Sequence, residues 1–243
     1  SMDQAIIDGL KAKLNPQAKA QGITVQWRKV DNINQIIVQK VQANDAPDIA
    51  LMPQPGIIKD LASKGKITPL DDVLDLPTLR KSMTAGTLDV AKANGKTYGL
   101  MVSMNVKGLV FYPKKAFTAA GYAAPKTLDE LNTLTAKIKA DGKTPWCLGI
   151  ESSTATGWPA TDWLEQVVLR QHGGDVYDKW VNHTIKFNSP EIIGSLTTVG
   201  NWMHNEKYVN GGFGGVQTFA TTTFQDAGKP ILLTTHGMTE AER

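Results

Sequence analysis

The chain holds a single cysteine, Cys147, so no internal disulfide can form and a disulfide-stapled scaffold is excluded. The compartment stays open, because exported bacterial proteins also do without disulfides. No apolar run approaches the roughly 18 residues that read as a membrane helix. Charge of neither sign dominates: 26 Lys and Arg stand against 23 Asp and Glu, a net +3 with histidine neutral. With no block of like charge, nucleic acid and an anionic membrane surface are not indicated as partners. The four histidines (His172, His183, His204, His236) show no HxxxH or HExxH spacing, so no metal site is expected. A GxSxG nucleophile elbow and a GxxxxGK(S/T) phosphate loop are both missing, and no cofactor is called for. Internal repeats and low-complexity tracts are also missing.

What is present reads as a globular α/β protein. The 243 residues, 41% hydrophobic and 20% charged, suffice for one large domain or two small ones with a sizeable core. Ile6, Ile7, Leu10 and Leu14 recur at helical spacing before Pro16 and Gly22. Residues 23–30 alternate like a strand. A helix over 33–43 turns Ile33, Ile36, Ile37, Lys40 and Val41 inward. Residues 48–52 read as a buried parallel strand stopped at 53–56, and a helix over 57–64 follows, closed by Gly65. That α-β-α-β-α order implies a parallel sheet covered by helices.

Residues 97–102 and 106–112 are strand-like, and helices are predicted over 114–120 and 127–140, the latter with a Thr127–Glu130 capping box. A strand at 144–150 precedes helices over 161–171, 176–181 and 190–205. Ile192, Ile193, Leu196, Val199 and Met203 form the inner face of the last. Trp146, Trp180 and Trp202 read as core, Trp27 as half-exposed, and Cys147 as a buried, inert thiol. A glycine-rich stretch at 211–215 leads to a short helix near 219–227.

Several stretches stand out together: ANDAPDIA at 43–50, MPQPG at 52–56, KITPLD at 66–71, NGKTYGL at 94–100, NVK at 105–107 with YPKKAF at 112–117, GWPATDW at 157–163, and YDKWVN at 177–182 followed by FN at 187–188. In order and spacing they resemble the extracellular solute-binding proteins of carbohydrate ABC importers, in particular the α-glucoside-binding branch, over about residues 3–230. The resemblance implies a periplasmic-binding-protein-like fold of two lobes with mostly parallel sheets and a hinge. It implies an N-terminal lobe at 1–107, incomplete, a C-terminal lobe at 108–235 and an atypical tail at 236–243. It also implies no enzymatic activity and an extracytoplasmic location. Its partners would be a small sugar and the importer's permease subunits, with membrane association only through that importer. The oligomeric state is not indicated.

Residue chemistry adds to the resemblance. In open α/β sheets ligands sit beyond the carboxyl ends of the strands, which is where Gln54 and Pro55 fall, as ligand contacts or as a rigid turn. Ser103, Asn105 and Lys107 lie where the chain crosses between lobes and are expected at the hinge, with Asn105 also a candidate ligand contact. A sugar offers a face of C–H groups and a rim of hydroxyls, so it suits an aromatic plate beside a carboxylate. Trp158, Asp162 and Trp163 supply both, although Trp163 as core and Asp162 as a helix cap account for the same pattern. Pro159 suits the first turn of a helix that Thr161 or Asp162 can cap. Phe213 and Gly214 sit where glycines would let backbone approach a ligand, or simply form a connection.

Two departures accompany the resemblance. The chain begins in what would be the family's first helix rather than its first strand, with a Ser1-Met2 start that reads as a cloning remnant. It also stops soon after Lys229, well short of the family's length, so the first lobe is expected to be incomplete. The tail KPILLTTHGMTEAE at 229–242 resembles the switch-histidine segment of ABC transporter ATPases, with His236 in the histidine's place, but no nucleotide-binding motif accompanies it. Two alternatives remain: a self-associating module pairing its open sheet edges, and a glycoside hydrolase using Asp162 and Glu165, which share a helix face at i, i+3.

Overall fold

The computed structural model describes residues 4–30, 32–104, 107–152, 155–205, 207–212 and 217–218. Two compact units divide it, Ser1–Met104 and Asn105–Arg243.

The first unit is mostly helical: α1 (Gln4–Ala20), α2 (Ile33–Gln42), α3 (Pro55–Ser63), a 3-10 turn (Leu70–Asp72) and α4 (Leu76–Ser82). A short antiparallel hairpin, β1 (Lys92–Ala93) and β2 (Lys96–Thr97), completes it. The core forms where the apolar stripe of α2, Ile37 and Val41, meets Leu61 of α3, with Ala50, Met52 and Ile67 packed against them. The hairpin is tied to the 3-10 turn by the Thr97 N–H, which donates to Asp71 at 2.7 Å, and by the Lys96–Asp72 pair at 3.2 Å.

The strands expected at 23–30 and 48–52 have no ladder partner among the described residues. A strand is completed by its neighbour's backbone groups, so an alternating sequence alone does not make one. Residues 48–52 keep the period of two: Ala50 and Met52 pack on the core while Ile49, 84% exposed, and Leu51 face outward. This differs from a strand buried on both faces, because only one layer packs on it here. The stripe read on α1 also buries nothing fully, and Ile6 and Leu14 are exposed.

The second unit contains α5 (Lys114–Ala119), α6 (Leu128–Ala140), β3 (Gly149–Glu151), α7 (Trp158–Val181), α8 (Pro190–Met203) and β4 (Gln217–Thr218). β3 and β4 run parallel, Gly149 opposite Gln217 and Glu151 opposite Thr218. A parallel bridge between Trp146 and Val209 extends the pairing, through Trp146 N–H to the Tyr208 carbonyl (2.9 Å) and Asn210 N–H to the Trp146 carbonyl (2.8 Å). The N-terminus of α6 is capped as its sequence suggests: Thr127 Oγ1 accepts from the Glu130 N–H at 3.1 Å. Glu130 reaches back one residue further than a standard capping box, to the Lys126 N–H.

At the centre of this unit Trp146, Trp163 and Trp202 meet, with ring centroids 5.0 to 6.1 Å apart, two of the three contacts edge-on. Asn132 on α6 accepts from the Trp202 indole N–H at 2.8 Å and so orients that ring. A second cluster, Leu164, Val168 and Ile192, joins α7 to α8. The buried stripe of α8 is Ile192, Ser195, Val199, Trp202 and Met203, whereas Ile193 and Leu196, expected inside, are exposed. Hydrophobicity alone marks Ile193 and Leu196 as inward, but α7 covers the adjacent stripe, where buried Ser195 donates to Gln171 Oε1 at 3.2 Å. The two helices expected at 161–171 and 176–181 are both present within α7, separated at Gly173, whose φ of 78° and ψ of 177° are not helical.

Sheet content among the described residues is thus one antiparallel and one parallel pair, less than the mostly parallel sheets expected. The residues of the expected helix near 219–227, the glycines at 213–215 and the tail with His236 lie outside the described residues.

Candidate functional site

β3 runs through a short loop into α7, so the first turn of that helix lies beyond the carboxyl end of a parallel strand. The loop is drawn tight by two bonds: Ser152 N–H to Thr156 Oγ1 (2.9 Å) and Gly157 N–H to the Ile150 carbonyl (3.2 Å). Gly157 is the N-cap residue, with φ 105° and ψ −20°, a conformation open to glycine and strained for residues with a Cβ. The helix therefore lacks a side-chain cap from the residue before it, and Thr161 does not cap it either: its hydroxyl donates back to the Trp158 carbonyl at 2.8 Å. Asp162 is likewise occupied elsewhere.

The 3.6-residue period sorts the first turns of α7 into faces. Pro159, Trp163 and Val167 turn into the aromatic core, and Leu164 and Val168 turn toward α8. Trp158, Asp162 and Gln166 fall on the remaining face, all partly exposed. Across that face lies the chain at 107–108. Lys107 Nζ is 2.8 Å from Asp162 Oδ2 and 4.5 Å from the centroid of the Trp158 ring, an ion pair and a cation–π contact made by one ammonium. The Asp162 side chain is 17% exposed and that of Lys107 43%, so the pair is screened on one side only. Gly108, at φ +69°, lies against the Gln166 side chain, where an added Cβ would fall 2.1 Å from Oε1.

A turn further along, the Tyr177 hydroxyl donates to Glu165 Oε2 at 2.9 Å. Burial, the Glu165 hydrogen bond, and then the charges of Glu165, Asp178 and Asp162 push the Tyr177 phenol up to about 12. The carboxylates on this side of α7 thus have separate partners, Lys107 for Asp162 and Tyr177 for Glu165. That arrangement positions and orients; it does not present a cooperating acid–base couple.

Of the residues singled out in the sequence, Trp158 and Asp162 share the exposed face of α7, and Trp163 lies 7% exposed beneath it in the aromatic core. Lys107, expected at a hinge, reaches this face as well. Gln54 is the N-cap of α3 and Pro55 its first residue, both exposed, in the first unit together with Ser103. Asn105, Phe213 and Gly214 lie outside the described residues. The contact of Lys107 with Trp158 spans a sequence separation that no local pattern reports; Tyr177 stood in a recognised motif without a role assigned to it. Among the described residues no group of three or more His, Cys, Asp or Glu is placed to hold a metal ion, and no helix is long and apolar enough to cross a membrane.

An aromatic ring and a carboxylate thus lie side by side beyond the carboxyl end of a parallel strand. The chain belongs to the bacterial extracellular solute-binding protein family, whose model matches residues 4–233. It is 41% identical over 220 residues to the alpha-glucosides-binding periplasmic protein AglE of Rhizobium meliloti (strain 1021), covering 88% of this chain and 47% of that protein. It is 38% identical over 203 residues to the osmoprotective compounds-binding protein GgtB of Synechocystis sp. (strain ATCC 27184 / PCC 6803 / Kazusa), covering 84% and 48%. The chain spans about half the length of the curated relatives it matches. Among solved structures it is similar to a chitin oligosaccharide binding protein (TM-score 0.74, 21% identity, 94% of this chain and 58% of that one) and to the raffinose complex of the solute-binding protein RafE (TM-score 0.70, 21% identity, 97% and 60%). At those identities the likeness carries the fold alone.

Proposed function

We propose that this chain takes part in binding a small sugar, an α-glucoside or related oligosaccharide, for delivery to the permease subunits of an ABC importer. Membership of the extracellular solute-binding protein family supports an extracytoplasmic location. The choice of a sugar rests on the Trp158–Asp162 face of α7: an indole plate suits the C–H face of a pyranose, and a carboxylate 17% exposed beside it suits hydroxyl donors. The α-linkage is suggested by the substrate named for the 41% identical relative. In this reading residues 1–107 and 108–235 are separate lobes, Ser103, Asn105 and Lys107 lie at the hinge, and Gln54, Pro55, Phe213 and Gly214 add contacts from other segments. Ligand bridging the lobes would stabilise a closed form, which the permease recognises.

The test is a calorimetric titration with maltose, trehalose, sucrose and raffinose against a β-linked control, cellobiose. Binding of an α-linked sugar, lost in Trp158→Ala with an unchanged circular dichroism spectrum, is expected. Equal affinity in wild type and variant removes Trp158 from the site. Aryl α- and β-glucosides incubated with the protein should release no chromophore; release would restore the hydrolase alternative.

A further inference from the structure

The ammonium of Lys107 already occupies what a stacking ligand would need. It lies over the Trp158 ring at 4.5 Å and takes the Asp162 carboxylate at 2.8 Å, so one group satisfies both the plate and the acceptor. It arrives beside Gly108, whose backbone lies against the Gln166 side chain of α7. The four rotatable bonds of the lysine stem let its ammonium swing off the ring without displacing the backbone. We propose, on the strength of the sugar-binding reading, that Lys107 is a tethered occupant of the Trp158–Asp162 subsite. Ligand binding there is then an exchange: the ammonium leaves the indole face, the pyranose C–H face replaces it, and hydroxyls of the sugar donate to Asp162.

The exchange sets a specificity. Once Lys107 has left, a carboxylate only 17% exposed has lost the ammonium's hydrogen bond, and hydroxyl donors suit the position it leaves. A ligand with two adjacent hydroxyls beside its stacking face supplies them, whereas a deoxy or O-methylated analogue replaces the ammonium less well. The contact being displaced is electrostatic, so salt weakens the occupant and not the neutral sugar. Affinity for a neutral sugar should therefore rise with ionic strength.

Three variants and one ligand-free measurement test this. Lys107→Met keeps the stem and removes the charge; the sugar should bind about three- to tenfold more tightly, the range expected for losing one partly exposed ion pair and one cation–π contact, and the salt dependence should flatten. Lys107→Arg supplies a planar group that stacks and pairs better, and should weaken binding. Without ligand, the Lys107 ε-methylene protons should resonate upfield of ordinary lysine through the indole ring current, revert in Trp158→Leu, and revert in wild type at saturating sugar. An unshifted Lys107 resonance in the ligand-free protein overturns the proposal, as does a shift that persists at saturating sugar while binding itself stands. Weaker or unchanged sugar binding in Lys107→Met overturns it too, and makes Lys107 a direct ligand contact or a bystander. If the upfield shift is present but no sugar binds to wild type or to Lys107→Met, the sugar reading falls and the exchange falls with it.

Discussion

Replacing Gly157 by alanine isolates the backbone that delivers Trp158 to its face. An alanine Cβ at this position would meet no atom within 4 Å, so sterics between side chains contribute nothing. The whole cost comes from holding φ at +105° in an L-residue, about 1–2 kcal/mol. Gly194 provides the opposite case in the same unit: it lies inside α8, an added Cβ again meets nothing within 4 Å, and its φ is not positive. Alanine there removes unfolded-state entropy and should stabilise by about 0.5–1 kcal/mol. For a chain of this length each kcal/mol moves Tm by about 2–4 °C. Thermal melts followed by far-UV circular dichroism should therefore show Gly157→Ala lowered by about 2–8 °C and Gly194→Ala raised by about 1–4 °C. Two substitutions with identical chemistry and equally open surroundings then differ in sign, which only backbone conformation explains. A neutral or stabilising Gly157→Ala would refute the left-handed N-cap and with it the placement of Trp158 at the head of α7.

Further outcomes follow from the surroundings of that helix. Tyr177 should ionise near pH 12 in an absorbance titration at alkaline pH, two units above the ordinary tyrosine value of 10.0. Because the folded value is raised, the neutral phenol's contribution to stability is complete below pH 10 and disappears as pH rises through about 12. The stability gap between wild type and Tyr177→Phe should narrow over that window, and a Tyr177 that titrates at 10 would contradict its burial beside the Glu165 carboxylate. Asn132→Ala removes the acceptor of the Trp202 indole N–H and should cost about 1 kcal/mol, read as a lower urea midpoint at unchanged m-value. An unchanged midpoint would show that the bond does not orient the aromatic cluster.

Helices were the legible part of this chain. The periodicity around Ile37 and Val41, the Thr127–Glu130 cap and the apolar repeat over α8 are written in spacings of three and four residues, which one helix satisfies from within itself. Alternation at 23–30 and 48–52 carried less, because a strand takes its hydrogen bonds from a neighbour that local sequence does not name. The inward face of α8 was half legible. Hydrophobicity selected Ile192, Val199 and Met203 correctly, yet admitted exposed Ile193 and Leu196 and passed over Ser195, which burial tolerates because Gln171 accepts its hydrogen bond. The pairing of an aromatic ring with a carboxylate in GWPATDW marked the candidate surface, since a helical turn puts Trp158 and Asp162 on one face whatever the rest of the fold does.

By itself, then, the sequence determined the helical segments, the family and the Trp158–Asp162 face, all of which follow from residues close together along the chain. Tertiary structure alone decided that Trp163 turns into the core while Trp158 stays half-exposed, and that left-handed Gly157 takes the N-cap position of α7 with no side-chain cap. It alone decided that the ammonium of Lys107 lies over the indole and against the carboxylate. The reason is physical: a contact between groups 55 residues apart depends on how packed elements bring distant backbone together, and no local spacing encodes that distance.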